Sequence, residues 1–269
     1  MFTMLRKLIL SAVILLISAP ATANLNEYDP WGIAMGFRSA RIPYPAKEER
    51  VDDVIPLMFF DNKYVFLRGQ TGGIKLYNKD EWQFSLIGKY RHFDIPAEFQ
   101  NEVRGNGLDL GLQGKYRFSP ELQSNLEFLS DDEGRLHANI DARYAWDSGS
   151  WELLPYVNLR WKSSDFNNRY FGLDGFENPN NPGTTSSNPI GSGWDMTLGS
   201  EVRYHVISNL YLVGRAELTT LLDSSTRNSA SIDSETYGEV YLGVAFFDDK
   251  AKARKPSRDA KPYWRFAYG

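Results

Sequence analysis

The sequence predicts an all-β protein: an antiparallel transmembrane β-barrel of about twelve strands, within a range of ten to fourteen. Three observations carry this. First, residues 108–118 read Leu-Asp-Leu-Gly-Leu-Gln-Gly-Lys-Tyr-Arg-Phe, with apolar or small side chains on one phase and Asp109, Gln113, Lys115 and Arg117 on the other. Residues 136–146 repeat the pattern, with Leu136, Ala138, Ile140, Ala142, Tyr144 and Trp146 alternating with His137, Asn139, Asp141 and Arg143. A period of two belongs to a strand with one apolar face, and segments of this length cross a bilayer when tilted. Second, the links between strands alternate short and long. Third, aromatic residues gather at strand ends.

Twelve segments carry the strand signal, and the links that bound them justify each in turn. Segment 31–38 is followed by a long link, 39–53. Segments 54–60, 63–68 and 73–77 are short and ambiguous in phase, separated by Asp61-Asn62 and by the brief link 69–72. A turn at 78–81 leads into 82–91, and 92–106 is again long. Segments 107–118 and 121–129 flank Ser119-Pro120; 130–135 precedes 136–146; and the turn 147–150 precedes 151–162. The longest link, 163–193, is rich in Asn, Pro, Gly and Ser after Asp174. Segments 194–204 and 209–219 meet at 205–208, and 220–235 leads to the last strand, 236–247. Tight turns on one side and long loops on the other are the asymmetry of outer-membrane barrels, and an even count places both chain ends on the tight-turn, periplasmic side. No segment has a helical period.

Composition excludes competing classes. After the first 23 residues no stretch approaches the roughly 18 consecutive apolar residues of a membrane helix, which leaves a barrel as the way to cross. The chain has no Cys, hence no disulfide and no lipid-modified N-terminal Cys. A net charge of -4 spread along the chain gives no reason to expect nucleic acid as a partner. Residues 1–23 read as a secretory signal: Arg6 and Lys7, an apolar middle over 8–17, and cleavage near Ala23 after Ala21-Thr22. Residues 24–248 then form the barrel in the bacterial outer membrane. Residues 249–269 form a charged tail that is a further strand, the start of another domain, or a frayed end.

In that orientation Trp31, Trp82, Phe118, Trp146, Trp151, Tyr204 and Phe246 fall at the periplasmic strand ends, and Tyr90, Trp161 and Trp194 toward the other rim. Two belts of amphipathic rings suit a membrane interface with outer-membrane lipid. With the apolar phase on lipid, the polar phase faces inward, so Arg117, Glu127, Asp141, Arg143, Asp195, Glu201, Arg203, Arg215, Glu217 and Glu239 share the lumen. Their mixed signs predict cross-pairing that fills a narrow barrel, the alternative being the lining of a water-filled channel.

No catalytic residue, cofactor or metal site is nominated. The three histidines, His92 in an outer loop, His137 on a lumen phase and His205 in a periplasmic turn, lack the paired serine of a lipid hydrolase; His205 and Ser208 read as a surface pair. Asp131-Asp132-Glu133 lacks a calcium-loop pattern and reads as a solvated acidic turn. Gly111 and Gly114 lie inside a strand, where they permit twist or close packing and do not form a phosphate loop.

The chain resembles the MipA/OmpV family of outer-membrane barrels over roughly residues 30–248. The similarity rests on Val-Ile-Pro-Leu-Met-Phe-Phe at 54–60, on Asp-Asp-Glu-Gly-Arg-Leu-His-Ala-Asn-Ile-Asp-Ala at 131–142, and on Trp161-Lys-Ser-Ser followed by Asn168-Arg-Tyr-Phe-Gly-Leu173. The last looks like the family's Trp-x-Ser and Tyr-Phe-Gly-Val elements, with Leu173 in place of the usual Val. The resemblance implies a structural scaffold for peptidoglycan remodelling, holding a murein lytic transglycosylase and a murein synthase. The alternatives are a channel or solute-uptake barrel and, last, a lipid-modifying enzyme. Lys250, Lys252, Arg254, Lys255, Arg258 and Lys261 in the tail are the candidate periplasmic contact with murein or an acidic enzyme face.

Overall fold

A computed structural model describes residues 31–46, 49–97, 103–172, 189–207 and 209–248. The proposed signal segment and the basic tail lie outside these residues. Thirteen strand segments are present: β1 (Trp31–Arg41), β2 (Arg50–Asp61), β3 (Val65–Gly69), β4 (Thr71–Lys79), β5 (Trp82–Arg91), β6 (Gly107–Arg117), β7 (Leu122–Ser130), β8 (Leu136–Tyr144), β9 (Trp146–Ser148), β10 (Trp151–Lys162), β11 (Gly193–Ile207), β12 (Leu210–Leu221) and β13 (Thr236–Asp248). Both β8 and β9 pair with β10, so they form one stave interrupted at Ala145. The staves number twelve. Each pairs antiparallel with the next, and β1 pairs with β13 from Trp31 opposite Asp248 to Ala40 opposite Glu239, closing the sheet. Among the described residues no helix is long and apolar enough to cross a membrane.

The twelve predicted strands are all present, with corrections at their ends and in the links. The link 39–53 shrinks, because β1 runs on to Arg41 and β2 starts at Arg50, the two pairing over their whole length. His205 lies within β11, not in a turn, and its ring stacks on Tyr211 at 4.9 Å; Ser208 is outside the described residues. The long links also hold short helical turns, Ser164–Asn167, Asn168–Gly172 and Ser224–Arg227, too brief to leave a periodic signal.

Alternation sorts the side chains. Ile33, Met35, Phe37, Leu108, Leu110, Leu112, Leu212, Leu242 and Val244 point outward and are exposed, as a lipid-facing wall requires. At the tight-turn rim Trp31 meets Phe246, Trp82 meets Tyr116, Tyr116 meets Phe118, and Trp151 meets Tyr204, with ring centroids 4.5–5.7 Å apart. Tyr90 and Trp194 face outward toward the opposite rim.

The interior differs from the expectation of an all-polar lumen. Ala34, Ile55, Leu57, Phe59, Tyr211, Val213, Tyr241, Ala245 and Phe247 form a buried apolar cluster inside the barrel. Phe66, Ile87 and Leu129 form a smaller one. A closed barrel must fill its own interior, and burying apolar side chains there is favourable by about 25 cal/mol per Å². Glycine allows the rings to lie flat on the wall: a Cβ at Gly36 would stand 2.4 Å from the Tyr241 ring. Likewise a Cβ at Gly111 would stand 1.8 Å from the Phe128 carbonyl oxygen, so this position tolerates no side chain, in line with the close packing expected of it.

Candidate functional site: the charged lumen and its lid

Above the apolar cluster the lumen is charged. Glu127 on β7 is buried, accepting from Gln113 Nε2 (2.8 Å), Asn125 Nδ2 (3.0 Å), Asn139 Nδ2 (3.1 Å) and Lys89 Nζ (3.1 Å). Arg143 donates to Asp141 at 3.1 Å, and Arg203 to Glu201 two residues away on the same strand. Glu217 and Glu239 face each other directly across β12 and β13, an arrangement that costs free energy unless cations intervene. Arg215 supplies one, donating to Glu239 and standing 4.0 Å from Glu217, while Tyr156 donates its hydroxyl to Glu217. Asp195 is bound through both carboxylate oxygens by the fully buried Lys162.

Arg117, opposite Gln123 at the end of β6, lines the tight-turn mouth of the lumen beside Arg68 and Lys115 and is exposed there. Sequence reading missed the most connected cation. Arg38 on β1 donates to both oxygens of Asp53 (3.0 Å each), both of Asp94 (2.6 and 2.9 Å) and one of Glu239 (2.9 Å). Its partners hid because 39–53 reads as a loop and Asp94 stands in one; the extra turns of strand bring Asp53 opposite Arg38. His92 adds a 2.9 Å contact to Asp53, and His137 pairs with Asp109 at 2.9 Å.

The long loops fold over this network as a lid. Ile42, Tyr44, Ile95, Val103, Phe166, Tyr170, Phe171, Ile190 and Leu221 form a buried cluster, with Phe93 packed against it. Ser163 caps the turn Ser164–Asn167 by accepting from Phe166 N (3.3 Å). Tyr44 donates to the Tyr170 carbonyl at 2.7 Å, and the Lys162 ammonium lies 3.9 Å from the Phe171 ring centroid. Asn168 ties the lid to the far side, accepting from Ile190 N (2.7 Å) and donating to Ile190 O (2.9 Å).

The acidic turn is not solvated. Asp131 is buried and accepts from Glu133 N (3.0 Å), Arg135 N (3.0 Å), Arg135 Nε (2.6 Å) and the Tyr170 hydroxyl (3.0 Å). Gly134, at φ 89°, lets the chain turn tightly enough to present those N–H groups. Burial opposes the Asp131 charge, but Arg135 and the two backbone N–H groups outweigh it and hold the carboxyl below its ordinary value. A depressed folded-state value means that this contribution is present above the unfolded value of about 3.8 and is lost as pH falls through the folded one. The Tyr170 ring resonances should therefore stay constant from neutral pH down to that value and shift below it. Asp131→Asn should shift them at neutral pH and remove the acid transition; an unchanged acid transition would locate it elsewhere.

Between lid and network lies a cavity of about 240 Å³ lined by residues of both charge signs. The fold and this interior define an outer-membrane-type β-barrel whose lumen is filled and capped. The sequence signature described as MltA-interacting protein MipA matches residues 33–247, and the chain belongs to this family. The motifs at 131–135 and 161–172 are the ones that build the lid. Comparison with curated proteins finds no match. Among solved structures, the chain is similar to a bacterial polysaccharide outer membrane secretin (9% identity, TM-score 0.44, covering 81% of this chain and 97% of that one). It is also similar to a Pseudomonas aeruginosa FadL homologue (8%, 0.36, 81% and 89%) and to OmpT of Vibrio cholerae (5%, 0.35, 82% and 98%).

Proposed function

We propose that this barrel is an envelope scaffold that holds murein-cleaving and murein-synthesising enzymes at the periplasmic face of the outer membrane. Membership of a family described as MltA-interacting is the observation that carries this reading. The filled lumen and its lid support it over a channel, since ion pairs and aromatic rings occupy the path that solute would take. The basic tail from Lys250 to Lys261 suits a screened attraction to anionic murein or an acidic enzyme face. Cross-linking in intact envelopes, followed by capture and mass spectrometry, should recover a lytic transglycosylase. Truncation after Asp249 should leave the barrel assembled while weakening that capture, and added salt should weaken capture by the intact chain. Recovery of the same partners at the same salt by the truncated chain would remove the tail from the interaction.

Orientation is testable because the chain has no cysteine. A maleimide that cannot cross membranes should label Asp233→Cys, exposed in the β12–β13 loop, on intact cells. Lys63→Cys, exposed in the β2–β3 turn, should label only after the outer membrane is permeabilised. The reverse pattern would invert the barrel and place the lid in the periplasm.

A further inference from the structure

Among the described residues the barrel wall is incomplete at one place. The hairpin β3–β4 is short, with its tip at Gly69-Gln70, and β3 pairs with β2 only from Met58 to Asp61. Among the described residues, nothing hydrogen-bonds to the outer edge of β2 from Arg50 to Leu57. On the other side of the hairpin β5 rises only two residues past Lys89, which lies opposite Thr71, before the chain turns inward. There His92 reaches Asp53 at 2.9 Å. The result is a window framed by the hairpin tip below, the His92–Asp53 contact above, Val54 to Leu57 on one side and Tyr90 on the other. Four residues of strand make it about 13 Å tall.

This window opens beside the cavity. The cavity is lined by the lumen residues Ile55, Leu57 and Lys89 but also by Gln70 at the hairpin tip and by the outward-facing Tyr90. Exposed apolar side chains, Val54 and Met58, border it on the outer face. Unpaired strand backbone is tolerated at membrane depth only where it lines a cavity or is covered. Pro56, which has no N–H to leave unpaired, stands within the open stretch.

The cavity chemistry selects a ligand. Of the six cationic Lys and Arg side chains that line it, Arg38, Lys89, Arg91, Arg143 and Arg215 each have a carboxylate within 4.0 Å. Arg160, on β10 across the barrel from the window, has none among the described residues: Asp195, opposite it in register, is held by Lys162, and the Arg160 Nε donates to Asn139 Oδ1 at 3.0 Å while the side chain lines the cavity. Two further donors on the lining, Arg215 Nε, 4.0 Å from Glu217, and the buried Tyr241 hydroxyl, have no hydrogen-bond partner among the described residues. An unneutralised guanidinium and unused donors call for an acceptor-rich, negatively charged group.

We propose that the window between β2 and β5 is a lateral entrance for a single-chain anionic amphiphile, whose head is held by Arg160 and whose alkyl tail leaves through the window into the bilayer. The test uses stearate carrying a nitroxide on its chain, added to the full-length barrel in zwitterionic nanodiscs. A spin label at Gln70→Cys should be broadened saturably by this probe, and a label at Leu242→Cys on the outer wall should show only the unsaturable background of the bilayer. Arg160→Gln should weaken the saturable binding at least tenfold, and the uncharged methyl ester of the probe should bind the native barrel as weakly. Arg160→Lys, which keeps the charge, should recover most of the affinity and serves if the glutamine variant does not assemble. Absence of saturable broadening, or equal binding of acid and ester, overturns the proposal. Competition by inorganic phosphate without approach of the probe to Gln70 would show a site for free anions and overturn the lateral entrance. Mutual broadening of Gln70 labels between barrels without probe would show that a second copy covers the window instead.

Discussion

Arg38→Ala should lower the unfolding free energy of the barrel by about 3–5 kcal/mol, the largest single-residue effect expected in the lumen. The side chain is 4% exposed and pairs with Asp53, Asp94 and Glu239 at once. Removing it leaves Asp53, Asp94 and Glu239 converging with His92 and Arg215 as their remaining partners, and breaking a buried pair costs far more than the pair itself contributes. Urea titration in lipid vesicles, followed by Trp fluorescence, measures the loss. Adding Glu239→Gln to Arg38→Ala should recover part of it, because the stranded charge and not the lost bond carries most of the cost. Arg215→Ala should be milder, since its side chain is 28% exposed and Glu239 keeps Arg38 as a partner. A loss below about 1 kcal/mol for Arg38→Ala would mean that the network is solvated like a surface ion pair.

Phe171→Ala should open the lid. The ring is fully buried, meets Phe93 edge-on at 5.2 Å and Tyr44 at 6.4 Å, and covers the Lys162 ammonium. Truncating a buried Phe costs about 3–5 kcal/mol. Here that cost falls on a layer held by loops, so it should appear as local opening while the strands stay paired. In planar bilayers the native barrel should show little steady conductance, and Phe171→Ala should show frequent openings with the barrel still folded by circular dichroism. Large stable openings in the native protein would favour the uptake-channel reading over the scaffold. A variant that unfolds outright would show that the lid and the staves form one cooperative unit.

The strands, their inward and outward phases and the two kinds of link were legible in the sequence. Each depends on neighbours within about ten residues, and a period of two assigns every side chain to a face without knowledge of its partners. That is why Glu127, Asp141, Glu201, Arg203, Arg215, Glu217 and Glu239 were expected inside, where they are found. Arg117 keeps the inward phase but stands at the tight-turn mouth, where it is exposed. Pairing was not legible. Arg38 meets Glu239 across 201 residues only because β1 and β13 close the barrel in one register. Asp131 reads locally as a solvated turn, and only the descent of Tyr170 from another loop buries it. The window is likewise a property of register, since a five-residue β3 has no local signature of what it fails to cover. Local chemistry determined the staves and their faces; closure of the sheet, which sets distances between residues far apart in the chain, decided the ion pairs, the lid and the gap in the wall.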